Sequence, residues 1–153
     1  MSIFHSMNTT ASALTAQRLR MDVISSNMAN VDTTRGKIVD GEWQPYRRKT
    51  VTLQPKGGSF STMLSTAIGT AGNGQVGNGV KVSRIKEDTE TPFKLVYDPS
   101  HPDANAEGYV EMPNVDPLRE MVDLISATRS YEANVTVFNA NKAMLTKALE
   151  IGK

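Results

Sequence analysis

Every proline of the chain lies between Pro45 and Pro117, and ten of its eleven glycines lie between Gly36 and Gly108. Proline lacks the N–H that an α-helix needs and clashes with the preceding turn, so long helices are excluded from the middle and left free to form at both ends. Apolar periodicity fills both ends. Alternating steps of four and three residues from Ile3 pick out Ile3, Met7, Thr10, Leu14, Gln17, Met21, Ile24, Met28 and Val31, seven of them apolar. The same count at the other end gives Met121, Leu124, Thr128, Tyr131, Val135, Phe138, Lys142, Leu145 and Leu149, again with seven apolar members. Such spacing is that of a coiled-coil seam. Asp116 before Pro117 offers an N-cap and a first-turn proline, Glu120 an acid in the first turn, and Gly152 a stop.

The middle follows a different pattern. Thr50 to Leu53, Val80 to Ile85, Phe93 to Tyr97 and Tyr109 to Met112 are short, rich in β-branched or aromatic residues, and bounded by glycine or proline, which predicts strands. Gly57 to Gly79 is rich in glycine, serine and threonine and is expected to be a flexible loop. The expected fold class is therefore α+β, with long terminal helices packed as a coiled-coil pair around a small β-rich centre. The expected divisions are 1–35 for the first helix, 36–115 for the β-rich part with its loop 57–79, and 116–153 for the second helix.

Chemistry is hard to find in this chain. It has no cysteine, which removes disulfides, thiolate metal sites and cysteine nucleophiles. Seventeen basic residues against sixteen acids leave no field to gather nucleic acid. Gly72 to Gly77 spells a dinucleotide-binding fingerprint, but a polar loop precedes it and a strand pattern follows, so the required strand and helix are missing. Asp98, His101 and Asp103 offer possible metal ligands, yet Pro99 and Pro102 between them point to a rigid turn. Arg47, Arg48 and Lys49 read as a solvated strand edge. The sequons at Asn8 and Asn134 fall inside helices and are discounted. No cofactor, metal, small-molecule substrate or nucleic-acid partner is expected, nor a catalytic residue. No run of signal-peptide length is present, so no cleaved secretion signal is expected.

The apolar seam is the remaining candidate site: Met7, Leu14, Met21, Ile24, Met28 and Val31 at one end, and Met121, Leu124, Tyr131, Val135, Phe138, Leu145 and Leu149 at the other. Helices of about 43 and 52 Å, at about 1.5 Å per residue, exceed what a small strand domain can cover. Partners from outside the subunit are therefore expected, and the seam residues form the candidate assembly interface. A coiled-coil adaptor for one soluble partner is the alternative.

Two stretches carry a resemblance. Ala16-Gln17-Arg18 with Ser25-Ser26-Asn27-Met28-Ala29-Asn30-Val31-Asp32-Thr33-Thr34 resembles the N-terminal signature of the bacterial flagellar axial proteins of rod and hook. Ser126-Ala127-Thr128-Arg129-Ser130-Tyr131-Glu132-Ala133-Asn134-Val135 is similar to their C-terminal signature. Pro45-Tyr46-Arg47-Arg48, Tyr97 to Asp103 and Gly108 to Asp116 look like the proximal-rod branch, and Arg35-Gly36-Lys37 departs from the glycine-aromatic continuation of hook and distal-rod relatives. The resemblance implies a torque-transmitting basal-body subunit in the cell envelope, exported uncleaved by the flagellar type III apparatus. It implies packing through the terminal helices against other rod proteins and copies of itself.

Overall fold

The computed structural model describes residues 3–56, Leu64, Ile68 and 77–151. Helix α1 runs Ile3–Ala29 and helix α2 runs Pro117–Ile151. Between them lie β1 Lys37–Val39, β2 Glu42–Gln44, β3 Lys49–Pro55, β4 Val80–Glu87, β5 Lys94–Tyr97 and β6 Tyr109–Met112. The strands form three two-stranded sheets, β1 with β2, β3 with β4, and β5 with β6. The fold is α+β, as expected. Most of the glycine-rich segment, and the expected stop at Gly152, lie outside the described residues.

The start of α2 and the end of α1 each have an identifiable cause. Asp116 Oδ1 accepts the Leu118 N–H at 3.1 Å and its carbonyl accepts from Glu120 N at 3.0 Å, so the cap and the first turn are set as the sequence indicates. Helix α1 stops two residues short of Val31. There Asn30 Nδ2 donates to the Ser26 carbonyl at 2.8 Å, satisfying one of the carbonyls that a helix C-terminus leaves open. Thr33 Oγ1 then donates to Asn30 Oδ1 at 3.2 Å and holds the turn that follows.

The four anticipated strands are present, with β3 and β4 longer than expected. The β1–β2 hairpin was not anticipated. Its turn is Asp40-Gly41, with φ of 55° and 89°, and it pairs Lys37 with Gln44, Ile38 with Trp43 and Val39 with Glu42. Two successive positive φ angles match the right-handed twist of the flanking strands, which is why Asp-Gly is a strong hairpin signal even beside strands of three residues. In the third sheet Leu95 lies opposite Glu111, Val96 opposite Val110 and Tyr97 opposite Tyr109. The two tyrosine rings there meet edge to face at 5.2 Å.

Contacts divide the chain into two units. The first comprises 1–19, 52–84 and 128–153, the second 20–51 and 85–127. In the first, Ala16, Thr10 and Asn141 are buried. In the second, Val23, Ile24, Val110, Val115 and Ala127 form a small apolar core, joined by the buried polar residues Asn27, Asn114 and Glu120. Glu120 is the largest fully buried side chain among the described residues. A core so lean in volume cannot leave polar groups of that kind unpaired.

Candidate functional site

Glu120 is 0% exposed, and a buried carboxylate persists only where it is both paired and hydrogen-bonded. Arg48 Nε donates to Glu120 Oε1 at 2.5 Å, and Asn27 Nδ2 donates to Oε2 at 3.0 Å. Arg48 also reaches Asp123 Oδ2 at 3.3 Å, while Arg20 reaches Asp123 Oδ1 at 3.4 Å. Three elements of the second unit therefore converge on one charged cluster: α1 through Arg20 and Asn27, the start of β3 and its approach through Arg48 and Lys49, and α2 through Glu120 and Asp123. The helices run antiparallel here, since Arg20 meets Asp123 and Asn27 meets Glu120.

Asn27 is saturated. Its Nδ2 group donates to Glu120 and to the Lys49 carbonyl at 2.9 Å, and its Oδ1 accepts from Lys49 N at 2.9 Å and from the Tyr46 hydroxyl at 3.0 Å. A primary amide has two donors and two acceptor lone pairs, and all four are used. Toward Lys49 it behaves like a neighbouring strand, offering one acceptor and one donor to the main chain. Asn114 repeats the device: Oδ1 accepts from Arg48 N at 2.8 Å, and Nδ2 donates to the carbonyls of Asp88 and Thr91, each at 3.0 Å. These two asparagines stitch the main chain on either side of the Arg48 side chain.

The reading of Arg47, Arg48 and Lys49 as a solvated edge is corrected at Arg48, whose side chain is only 14% exposed. The cause is Glu120, which needs a cation within hydrogen-bond reach. Arg47 lies over the Phe93 ring at 4.3 Å and Lys49 over the Tyr46 ring at 5.4 Å, so each of the three has a partner.

A second clasp joins the segment after α1 to the turn around His101. Thr34 Oγ1 donates to Asp103 Oδ2 at 2.8 Å, and Arg35 Nε donates to Asp103 Oδ1 at 2.8 Å. The hydrogen bonds from Arg35 and then Thr34 hold the Asp103 carboxyl below its ordinary range, and Asp103 in turn raises the Arg35 guanidinium. His101 is part of the turn itself: Nδ1 accepts from Asp103 N at 3.1 Å. Asp98 Oδ1 accepts from Ser100 Oγ at 2.6 Å and from Ser100 N at 3.0 Å, bonds that lower its carboxyl too. Among the described residues no group of three His, Cys, Asp or Glu side chains is placed to hold a metal ion. An open cleft of about 490 Å³ adjoins this turn, with Thr34, Trp43, Leu95, Asp103, Tyr109 and Glu111 among its walls.

The seam residues fall into three groups. Ile24 is buried; Met7, Leu14, Met21, Met28, Val31, Leu124, Tyr131, Val135, Phe138 and Leu145 are half-buried; Met121 and Leu149 are exposed. On α2 the most buried line is Glu120, Leu124, Ala127, Tyr131, Asn134, Phe138, Asn141 and Leu145. It shares four residues with the counted seam. The other four are small or polar and stand one position before Met121, Thr128, Val135 and Lys142. Counting apolar residues alone missed them, although Glu120, Ala127, Asn134 and Asn141 recur every seven residues. No described helix is long and apolar enough to cross a membrane.

Residues 7–36 match the family model "Flagella basal body rod protein", and residues 106–151 match "Flagellar basal body rod FlgEFG protein C-terminal". The chain is 69% identical over 153 residues to the flagellar basal-body rod protein FlgC of Bacillus subtilis (strain 168), covering 100% of both chains. It is 46% identical over 162 residues to the protein of that name from Borreliella burgdorferi, covering 99% of this chain and 98% of the other. It is 43% identical over 153 residues to the one from Escherichia coli O6:H1, covering 100% of both. The two family models fall on the two ends that supply Asn27 and Glu120.

Proposed function

The chain belongs to the FlgC family of flagellar basal-body rod proteins, and from that premise we propose that it polymerises through its terminal helices to carry torque along the proximal rod. It is a structural subunit of the flagellar basal body and not an enzyme. The helices act as a coiled-coil pair, the β-rich part 36–115 rides on them, and the seam residues from Met7 to Val31 and from Met121 to Leu149 provide the assembly interface. Other rod proteins and further copies of this chain are the partners. The subunit reaches its place uncleaved, through the flagellar type III export apparatus.

The observation that carries this reading is the far part of α2, where Val137, Met144, Leu149 and Ile151 stand 50%, 60%, 74% and 86% exposed. Apolar side chains left in water over so many turns call for partners that the chain itself does not supply. Met144→Asp tests it by placing a charge among these exposed side chains, where the chain itself offers no packing to disturb. Expected are the loss of the subunit from purified basal bodies and the loss of swimming, with the soluble chain keeping its far-UV circular dichroism. Normal incorporation of the variant would remove the helix from the interface.

A further inference from the structure

The cleft beside the His101 turn is walled by rings and carboxylates that the seam does not use. All of its lining lies in the second unit, with the β1–β2 hairpin on one side and the β5–β6 sheet on the other. Trp43, on β2, is 55% exposed in the first wall, and Leu95 and Tyr109 are exposed in the second. These rings are held from behind. Trp43 is paired across the hairpin with Ile38, and Tyr109 sets its ring edge to face on Tyr97 while its N–H donates to Asn105 Oδ1 at 2.9 Å. Aromatic surface fixed in this way loses little side-chain freedom on receiving a ligand.

Two carboxylates border the rings. Glu42 precedes Trp43 on β2 and Glu111 stands opposite Leu95 on β6, both in the cleft wall and both exposed. Neither carboxylate has an ion-pair or hydrogen-bond partner among the described residues. The nearby cations are engaged elsewhere: Arg35 with Asp103, Lys37 with Glu87, Lys94 with the Val115 carbonyl and Arg47 over the Phe93 ring. Asp103, the third acid of the cleft, is offset by Arg35. A space of about 490 Å³ thus keeps two uncompensated negative charges beside an indole and a phenol.

We propose that this cleft receives an arginine side chain from an extended segment of a different protein. A guanidinium is planar, so it lies flat on an aromatic face and still directs N–H donors from its edge at carboxylates, while its apolar stem covers a residue such as Leu95. Other occupants answer fewer of these features. A metal ion needs its ligands gathered around one point, and no three His, Cys, Asp or Glu side chains are so placed among the described residues. A neutral sugar would stack on Trp43 but leave both charges unanswered, and a lysine would meet the charges without the flat contact. A second copy of this chain is a poor donor, since each of its eight arginines lies in a helix or a strand or is already engaged. The site lies apart from the helix seam and does not depend on the rod reading.

Trp43 is the only tryptophan of the chain, so its fluorescence reports this cleft. The probe is the peptide acetyl-Ser-Leu-Arg-Leu-Ser-amide, titrated into the full-length soluble protein. A saturable change in Trp43 emission is expected, with affinity falling as salt is added and falling about tenfold in the double variant Glu42→Gln with Glu111→Gln. Both glutamates are exposed and unpaired, so the variant is expected to keep its far-UV circular dichroism. Citrulline in place of arginine has nearly the same shape without the charge, and is expected to give no saturable change. Lysine in that place is expected to bind several-fold more weakly. The proposal is overturned by the absence of a saturable change with the arginine peptide, or by undiminished binding of the citrulline peptide, of the lysine peptide or to the double variant. Saturable binding of triacetylchitotriose in preference to the peptide would assign the cleft to a glycan, and self-association of the chain that the double variant loses would assign it to a second copy. Either result overturns the proposal, and none of these outcomes touches the rod reading, which incorporation into basal bodies decides.

Discussion

Two stretches of one helix, α2, are secured in different ways. Up to Ala127, in the second unit, α2 is bound by charge: Glu120 is fully buried between Arg48 and Asn27, and Asp123 lies between Arg20 and Arg48. Beyond Ala127, in the first unit, Asn141 Nδ2 donates to Ser6 Oγ at 2.9 Å, and most side chains of the last three turns are exposed. The first stretch is specified within the subunit. The second offers apolar surface to whatever lies outside it. Burying an ion pair stabilises little in net terms, because desolvation offsets most of the attraction, but removing one partner strands the other. The clasp therefore fixes which side of α2 turns inward more than it adds to stability.

The largest expected effect follows directly. Glu120→Ala takes from Arg48 its shorter carboxylate bond, leaving it only Asp123 at 3.3 Å, and leaves one donor of Asn27 unpaired, and is expected to destabilise the chain by about 2–4 kcal/mol in urea unfolding. Replacing both partners, Arg48→Met with Glu120→Leu, is expected to recover most of that loss. A cost for Glu120→Ala below about 1 kcal/mol, the level of an exposed pair, would abolish the contrast between the two stretches.

Next in size is a substitution in the first unit. Gly79 has a φ of 92°, and a Cβ there would collide with Ser12 Oγ, which accepts the Val80 N–H at 3.1 Å. Gly79→Ala is expected to cost about 1–3 kcal/mol. Gly77 has open space around its Cβ position and no positive φ, so Gly77→Ala is expected to change stability by less than about 0.5 kcal/mol. Thermal melts of the two variants separate the positions.

Asn141→Ala removes the bond to Ser6 and is expected to cost only about 1 kcal/mol, well below the loss at Glu120, which a side-by-side urea titration would sharpen. The smallest effect is that of acid. The folded Asp103 carboxyl binds its proton more weakly than the unfolded one, whose ordinary value is 3.8. Its contribution is then complete above that value and is lost as pH falls through the lower folded value. Asp103→Asn is expected to flatten the fall of the melting temperature below about pH 4, leaving stability between pH 5 and 8 nearly constant. His101→Ala, which loses the bond from Asp103 N and the approach of the ring to the Asp103 carboxylate, is expected to leave swimming measurable.

How legible was this in the sequence? Both helices were, because proline and glycine mark out the middle and Asp116-Pro117 marks a start. Asp40-Gly41 carried its own signal, and the hairpin around it was overlooked because its strands are only three residues each. The clasp left little local trace. Glu120 reads as an ordinary first-turn acid and Arg48 as a surface charge, and their partnership joins residues far apart in the chain. The trace that did exist was the recurrence of polar or small residues at Glu120, Ala127, Asn134 and Asn141. An apolar count passes over it by one position. The resemblance at Ser25 to Thr34 included Asn27, yet no sequence pattern says that its amide serves Lys49, Tyr46 and Glu120 together.

Amide hydrogen exchange on the dilute, isolated chain tests the division of α2 most directly. Strong protection is expected where the clasp acts, in Arg20 to Ala29 and Met121 to Ala127, and rapid exchange from Val137 to Ile151, whose partners are absent. Equal, strong protection of Val137 to Ile151 in a monomer would contradict that division, since the far end of the helix would then need nothing from outside the subunit.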